Sequence, residues 1–111
     1  MEPWAVLATA TDPAGRLVVL DAHGWDHILA DHREMASHRG TVLAAVAAPD
    51  YRRADPRPGR ERFYRRDVGP SRWCLVVVDF TVAPARVVTA FGTRRDPPDW
   101  PAPARDPGGI G

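Results

Sequence analysis

The stretch RWCLVVVDF, residues 72–80, is the most hydrophobic segment of the chain and decides which kind of fold the chain can adopt. An uninterrupted apolar run of this length, rich in the β-branched residue valine, is typical of a strand buried on both faces. The run therefore predicts the central strand of a sheet. Cys74, the only cysteine, lies inside it, so no internal disulfide can form and a buried, inert thiol is expected.

Segments with a period of two flank this central strand. Arg60–Asp67 (RERFYRRD) alternates well enough for a strand and is joined to the central run by a VGPS turn. Arg86–Phe91 (RVVTAF) follows the central run after a second turn, VAPA. Tyr51–Arg53 is a further short strand, separated from Arg60 by the proline- and glycine-containing loop DPRPGR. These runs predict a four-stranded antiparallel sheet.

Upstream of these strands the apolar residues recur with a helical period. A helix is predicted to begin near Trp25, because the spacing i, i+3, i+4, i+7 of one buried face is followed by Trp25, Ile28, Leu29 and His32. An alanine-rich segment that opens at Ser37 or Gly40 and is stopped by Pro49 predicts a second helix.

These elements predict one α+β domain, residues 1–95, with two N-terminal helices packed on one face of the four-stranded antiparallel sheet. A short hairpin can precede the helices, since the β-type runs Trp4–Thr9 and Leu17–Leu20 surround the turn signal TDPAG. Residues 96–111 contain five prolines and three glycines. Because that composition does not pack regularly, these residues predict a flexible tail.

The charge of the chain is balanced overall but uneven along it. All 15 basic residues are arginine and the net charge is only +1, yet eight arginines fall between Arg52 and Arg72, against three acids. A genome rich in G and C would by itself favour arginine over lysine, and arginines on exposed strands are often only solvated. The local excess of positive charge is nevertheless the footprint expected of a surface that binds a polyanion.

Neither a signal peptide nor a membrane span is predicted. The N-terminus lacks a basic segment followed by a long apolar one, and no run approaches the roughly 18 apolar residues that a spanning helix needs. The sequence therefore predicts a protein that acts in the cytoplasm and has no membrane partner.

Three histidines lie in or just before the segment WDHILADHREM, residues 25–35. His23 and His27 are four residues apart and could bind zinc together with His32 or Asp26. Gly24, however, is expected to leave His23 outside the helix, and no HExxH pattern is present. We therefore predict no metal and no cofactor.

An acid–base role is the other possibility for these histidines. On an unbroken helix His27 and His32 would lie about 140° apart, so they are not expected to act as a pair. His32 shares the apolar face and is as well explained by burial as by catalysis. His27 lies toward the polar side and is either a surface histidine or a proton-transferring one.

The strands add an arginine and a hydroxyl. In FYRR, alternation sets Phe63 and Arg65 on one face and Tyr64 and Arg66 on the other. An arginine on an exposed strand face can hold a phosphate, although it can equally be a solvated side chain. Thr89 shares a face with apolar residues, and its hydroxyl therefore needs a partner, either the backbone or a phosphate.

Five short motifs occur in an order that resembles a known group of nucleases. They are WDHILADHREM, a helix ending in AAPD, FYR, WCLVVVDF and VVTAF. This order, over residues 18–92, is similar to the phage-type branch of the barnase–EndoU–colicin–RelE (BECR) superfamily of small RNase toxins. The resemblance implies an endoribonuclease on the α+β scaffold described above. One position departs from the pattern, because Arg33 stands where the family often has proline.

Carried over to this chain, the resemblance implies His27 as the general base or acid, with His32 either a second such group or a structural residue. Arg66, or its neighbour Arg65, would contact the phosphate, and Thr89 would add a hydrogen bond at the same place. Tyr64 would orient the nucleotide by stacking. Arg94 is a further residue expected to bind RNA.

The implied chemistry needs no metal, because RNA carries its own nucleophile, the 2′-OH group. Cleavage would give a 2′,3′-cyclic phosphate and a 5′-OH. The expected partners are RNA (tRNA, mRNA or rRNA) and a cognate immunity protein or antitoxin. The alternative is a non-catalytic module on the same scaffold that binds RNA or a protein.

Overall fold

The sheet is built around the strand predicted from the most hydrophobic run. In the computed structural model, which describes residues 2–101, this strand is buried at every position except its last. The elements follow in the order β1 (Val6–Thr11), β2 (Leu17–Asp21), α1 (Ala22–Asp31), a short 3₁₀ helix (Arg33–Ser37), α2 (Arg39–Ala47), β3 (Tyr51–Ala54), β4 (Arg60–Arg66), β5 (Trp73–Asp79) and β6 (Ala85–Thr93).

Within the described residues the sheet has six strands and is mixed, in the order β1-β2-β6-β5-β4-β3. The prediction of a four-stranded antiparallel sheet is therefore wrong. The N-terminal hairpin is part of the sheet, because β2 pairs in parallel with the start of β6 through Val18–Ala85 and Val19–Arg86. A parallel pair needs a long crossover connection, and here the chain between β2 and β6 supplies it. The remaining strand pairs are antiparallel.

The helices pack on one face of this sheet, as predicted. Trp25 and Ile28 of α1 and Val42, Ala45 and Val46 of α2 join one apolar cluster. The strands contribute to the same cluster with Val18, Leu20, Phe63, Cys74, Val76, Val78, Val87 and Ala90. Burial raises the pKa of the Cys74 thiol to about 12, which agrees with an unreactive core residue.

The helix α1 begins earlier than predicted, and His32 lies beyond its end. The helix begins at Ala22, not near Trp25, because the Asp21 carboxylate caps it by accepting a hydrogen bond of 2.7 Å from the backbone N–H of Gly24. His23 therefore lies inside the helix, contrary to the prediction from Gly24. The helix ends at Asp31, and His32 adopts a non-helical conformation with φ −139°. The angle between His27 and His32 on an unbroken helix consequently does not apply.

Gly24 lets α1 approach the edge of β6. A Cβ atom at this position would lie 2.9 Å from the carbonyl oxygen of Val87 and 3.2 Å from Asp21 Oδ1. We expect Gly24→Ala to destabilise the protein by about 1–2 kcal/mol, because overpacking exceeds the gain in helix propensity. Gly40 in α2 is the matched control, since a Cβ there meets nothing within 4 Å. Urea unfolding of both variants tests this, and equal effects at the two glycines would contradict it.

Arg16 ties the β1–β2 hairpin to β4. Its guanidinium donates to both carboxylate oxygens of Glu61, at 2.8 and 2.9 Å, and to Asp12 at 2.8 Å, and it lies 3.6 Å over the ring of Phe80. The hydrogen bond from Arg16 lowers the pKa of Glu61. Burial alone would raise the pKa of Asp12, but the hydrogen bonds from Arg16 outweigh it and lower that pKa as well.

The cluster of Arg16, Asp12 and Glu61 should make the free energy of unfolding decrease at acid pH. Because the folded pKa values lie below the ordinary values of 3.8 for Asp12 and 4.5 for Glu61, the folded state binds fewer protons than the unfolded state. The stabilisation is therefore present at neutral pH and lost as the pH falls below those ordinary values. Arg16→Gln should cost about 1–2 kcal/mol at pH 7 and flatten the pH dependence. Thermal unfolding between pH 7 and pH 3 measures both, and an unchanged pH dependence in the variant would refute the assignment.

The first residues of the predicted tail lie against the sheet. Asp96 accepts a hydrogen bond of 2.9 Å from Trp73 Nε1, and the ring centroids of Trp100 and Trp73 are 5.0 Å apart. Residues 102–111, the rest of that segment, lie outside the described residues, and their flexibility stays a prediction. Within residues 2–101, the structure contains no helix long and apolar enough to cross a membrane.

Candidate functional site

The face of the sheet opposite the helix core carries several arginine and aromatic side chains, and we call it the open face. Residues paired directly across two strands share a face. Between β4 and β5 the pairs on the open face are Arg60–Asp79, Arg62–Val77, Tyr64–Leu75 and Arg66–Trp73. β6 adds Thr89, Phe91 and Thr93, which pair with Val77, Leu75 and Trp73.

A cleft of about 550 Å³ opens on this face between α1 and the strands. We call it the central cleft. Its floor contains Leu75 and Val77, and its polar lining comes from four separate parts of the chain: His27 and Asp31; Asp55 and Arg57; Arg60 and Arg62; and Thr89. The fold thus brings together two of the residues predicted from sequence, His27 and Thr89, with arginines of β4 and of the loop before it.

His27 projects from the exposed side of α1 at the rim of this cleft. Its side chain is 50 % exposed, and its Nε2 lies 3.6 Å from Oδ2 of Asp31, one helical turn later. This distance is longer than a hydrogen bond. An imidazole exchanges protons near neutral pH, so the position suits proton transfer to or from a group bound in the cleft.

Thr89 reaches the cleft next to an irregularity in β6. Thr89 pairs with Val77 but Val87 pairs with Val78, so Val88 is an extra residue between them. Such a bulge changes the direction of neighbouring side chains. As a result, Val88 and Thr89, although consecutive, both line the central cleft.

Arg62 is the guanidinium that the structure holds most firmly in the cleft. Its Nε donates to Oδ1 of Asp55 at 2.7 Å, and this hydrogen bond raises the pKa of Arg62. Burial alone would raise the pKa of Asp55, but hydrogen bonds from the Arg57 backbone and from Arg62 outweigh it and lower that pKa. The bond to Asp55 uses only one of the five N–H donors of the guanidinium. The lining of the central cleft therefore has a net positive charge, because it contains three arginines (Arg57, Arg60 and Arg62) and two aspartates (Asp31 and Asp55).

His32 lies outside the lining of the central cleft. Its ring stacks on Phe91, with centroids 4.9 Å apart and an interplanar angle of 26°, and its Nδ1 is 3.8 Å from a carboxylate oxygen of Glu34. Phe91 itself lines the cleft. His32 is therefore a neighbour of the cleft that contacts one of its walls.

Arg66 and Tyr64 belong to an aromatic cluster further along the open face. The Arg66 guanidinium carbon lies 5.5 Å from the ring centroids of both Trp73 and Trp100, and Arg66 is not among the residues that line the central cleft. Tyr64 is only 3 % exposed and packs edge-on against Trp73 and Tyr51. A buried ring of this kind has no free face on which a base could stack.

The two remaining predicted residues lie apart from the cleft. Arg65 faces the other side of the sheet, where its guanidinium donates to the backbone oxygen of Ala48 just beyond α2. Arg94 is exposed in the bend that follows β6. Its neighbour Arg95, and not Arg94, lines an adjoining cleft of about 420 Å³.

Arg60 and Arg62 were missed by the sequence reasoning, although the signal was present. Alternation along RERFYRR puts both of them on the same face as Arg66. What alternation does not reveal is which part of that face lies beside α1. Among residues 2–101, no three His, Cys, Asp or Glu side chains are grouped closely enough to hold a metal ion.

Comparison with known proteins adds no relative. Neither a protein-family model, nor a curated protein, nor a solved structure matches this chain, so membership of the RNase toxin superfamily stays a prediction from its motifs.

Proposed function

We propose that this protein is a metal-independent endoribonuclease of the toxin or effector type, whose active site is the central cleft. One observation carries the proposal: His27 and Thr89 line a single cleft with Arg60 and Arg62, although these residues come from three separate elements. An imidazole, a hydroxyl and guanidinium groups on one cleft are the groups that cleavage of RNA requires.

The reaction is attack of a ribose 2′-OH on the adjacent phosphorus. The bond between phosphorus and O2′ forms while the bond to O5′ breaks, which gives a 2′,3′-cyclic phosphate and a 5′-OH. His27 exchanges one of the two protons, as the base that takes it from the 2′-OH or as the acid that gives one to the leaving O5′, and water in the open cleft exchanges the other.

The arginines and Thr89 act on the phosphate. Charge on its non-bridging oxygens grows in the transition state, and fixed donors aimed at them stabilise that state. Arg62 suits this role because Asp55 fixes its Nε at 2.7 Å, so little ordering is needed when RNA binds. Thr89 supplies a hydroxyl donor from the opposite wall. We therefore propose that Arg62, with Arg60 beside it, binds the phosphate, and that Arg66 does not.

The proposal extends to the cellular setting. Its substrate would be tRNA, mRNA or rRNA in the cytoplasm, and a toxin of this kind would have a cognate immunity protein or antitoxin that covers the central cleft. Growth arrest on expression, relieved by co-expression of a neighbouring gene, would support that setting.

The direct test is incubation with labelled RNA and with DNA of the same sequence, both in EDTA. We expect RNA to be cut, with 2′,3′-cyclic phosphate ends, and DNA to stay intact because it lacks the 2′-OH. Cleavage of both nucleic acids, or loss of RNA cleavage in EDTA, would contradict the proposed mechanism.

One observation favours a second candidate, a non-catalytic module that binds RNA. Among residues 2–101, His27 is the only histidine that lines the central cleft, whereas the reaction moves one proton from a hydroxyl and another to a leaving oxygen. Binding of RNA with no cleavage in the same assay would select this candidate.

A further inference from the structure

Trp4 is an aromatic residue close to the central cleft, with 57 % of its surface exposed. It lines a cleft of about 260 Å³, which we call the Trp4 cleft. This cleft adjoins the central cleft, since the two share the lining residues His27, Arg60 and Val88. A chain bound in the central cleft and leaving it on this side therefore meets the Trp4 ring.

The Trp4 ring is held in place by its surroundings. The backbone oxygens of its two neighbours accept hydrogen bonds from the first residues of α1: Pro3 from His23 at 2.7 Å and Ala5 from Ala22 at 2.9 Å. The guanidinium carbon of Arg86 lies 4.9 Å from the ring centroid. A ring fixed in this way loses little freedom when a second ring stacks on it.

An ion pair with Asp21 holds the guanidinium of Arg86 in place. Its Nη1 is 3.5 Å from Oδ2 of Asp21, the buried residue that also caps α1. Its Nε is buried and has no hydrogen-bond partner among residues 2–101. The guanidinium of Arg86 is thus held by Asp21 beside the exposed ring of Trp4.

The charges of the Trp4 cleft suit an uncharged ligand. Arg60 and Arg86 are balanced there by Asp21 and Asp79, whereas the arginines of the central cleft outnumber its acids. A phosphate is thus better accommodated in the central cleft. A nucleobase, a flat ring with donors and acceptors on its edge, matches the Trp4 cleft.

We propose that the Trp4 cleft is a nucleobase subsite, in which the base next to the scissile phosphate stacks on Trp4, and that the substrate is therefore single-stranded RNA. The inference rests on the proposed function, because the central cleft must hold the phosphate. A base reaches Trp4 only when it is unpaired and unstacked, as in loops and single strands.

Binding of a short, fully 2′-O-methylated oligoribonucleotide tests this without cleavage, because its 2′-oxygens cannot attack. We expect Trp4→Ala to weaken its binding roughly tenfold or more, and Trp4→Phe to restore most of the loss because stacking is retained. Leu17→Ala is the control: Leu17 is also exposed, at 51 %, but lies at the other end of the hairpin, opposite Thr11. The same oligonucleotide in a duplex should bind more weakly than the single strand.

The outcomes separate this subsite from the proposed function. Equal binding by Trp4→Ala and wild type, or preference for the duplex, would overturn the subsite even if the protein cleaves RNA. Binding that depends on Trp4, with no cleavage of unmodified RNA, would support the subsite and refute the nuclease.

Discussion

Replacement of His27 by alanine should reduce cleavage of RNA in EDTA by about 10²–10⁴-fold, the usual contribution of a general acid or base. The reduction should appear in kcat and not in binding, because an imidazole that moves a proton acts in the transition state. The protein should stay folded, since the side chain is half exposed and alanine favours the helix. Single-turnover cleavage of labelled RNA, with thermal unfolding of the same sample, measures both.

His32→Ala is the matched control for this experiment. His32 is the other histidine of the same segment, and it contacts the wall of the central cleft by stacking on Phe91. We expect it to lower the rate much less than His27→Ala and to act through stability. A larger loss of rate at His32 than at His27, with both variants folded, would transfer the acid–base role to His32. Undiminished cleavage in both variants would remove the histidines from the mechanism.

The strands were predictable from sequence, but the way they assemble was not. The apolar run at residues 72–80 predicts a strand that is buried on both faces, and β5 is such a strand. The turn signal TDPAG between two short β-type runs also located the hairpin, but such local signals do not say which other strand it pairs with or in which direction. The parallel contact of Val18 and Val19 with Ala85 and Arg86 joins two segments that are far apart in the sequence. It is a tertiary contact, and no local pattern encodes it.

The first helix illustrates a similar limit. Its buried face was visible in the spacing of Trp25 and Ile28, but its ends depend on contacts. Asp21 begins the helix three residues earlier than the apolar period suggests, because its carboxylate finds the Gly24 N–H at 2.7 Å. The helix then stops at Asp31 without a proline, and His32 moves out of phase. Phase arguments hold only as far as the helix extends.

The residues of the candidate site were likewise only partly predictable from the sequence. Sequence alone proposed His27 and Thr89, and both line the central cleft. It proposed Arg66 because of the FYR motif, although Arg62 shares its strand and face. The difference lies in which end of β4 faces α1, and the extra residue Val88 in β6 adds a change of direction that periodicity cannot anticipate.

Arg62→Ala should lower the rate of RNA cleavage by about 10²–10³-fold, the loss expected when one donor to a developing oxyanion is removed. Arg62→Lys should recover only part of that loss, because lysine keeps the charge but not the planar pair of donors. Both variants also leave Asp55 without its present partner at 2.7 Å, so the rate must be compared at a temperature where each variant is folded. Single-turnover kinetics with saturating RNA isolates the chemical step.

Arg66→Ala decides between the two arginines of β4. Arg66 lies on the same strand and the same face as Arg62, but its guanidinium packs against both Trp73 and Trp100. Its loss should therefore lower thermal stability and leave the rate of the folded protein within a few-fold of wild type. If Arg66→Ala abolishes cleavage while Arg62→Ala does not, the phosphate binds near Trp73 and the central cleft is not the active site. Loss at Arg62 alone would tie the chemistry to the cleft that holds His27 and Thr89.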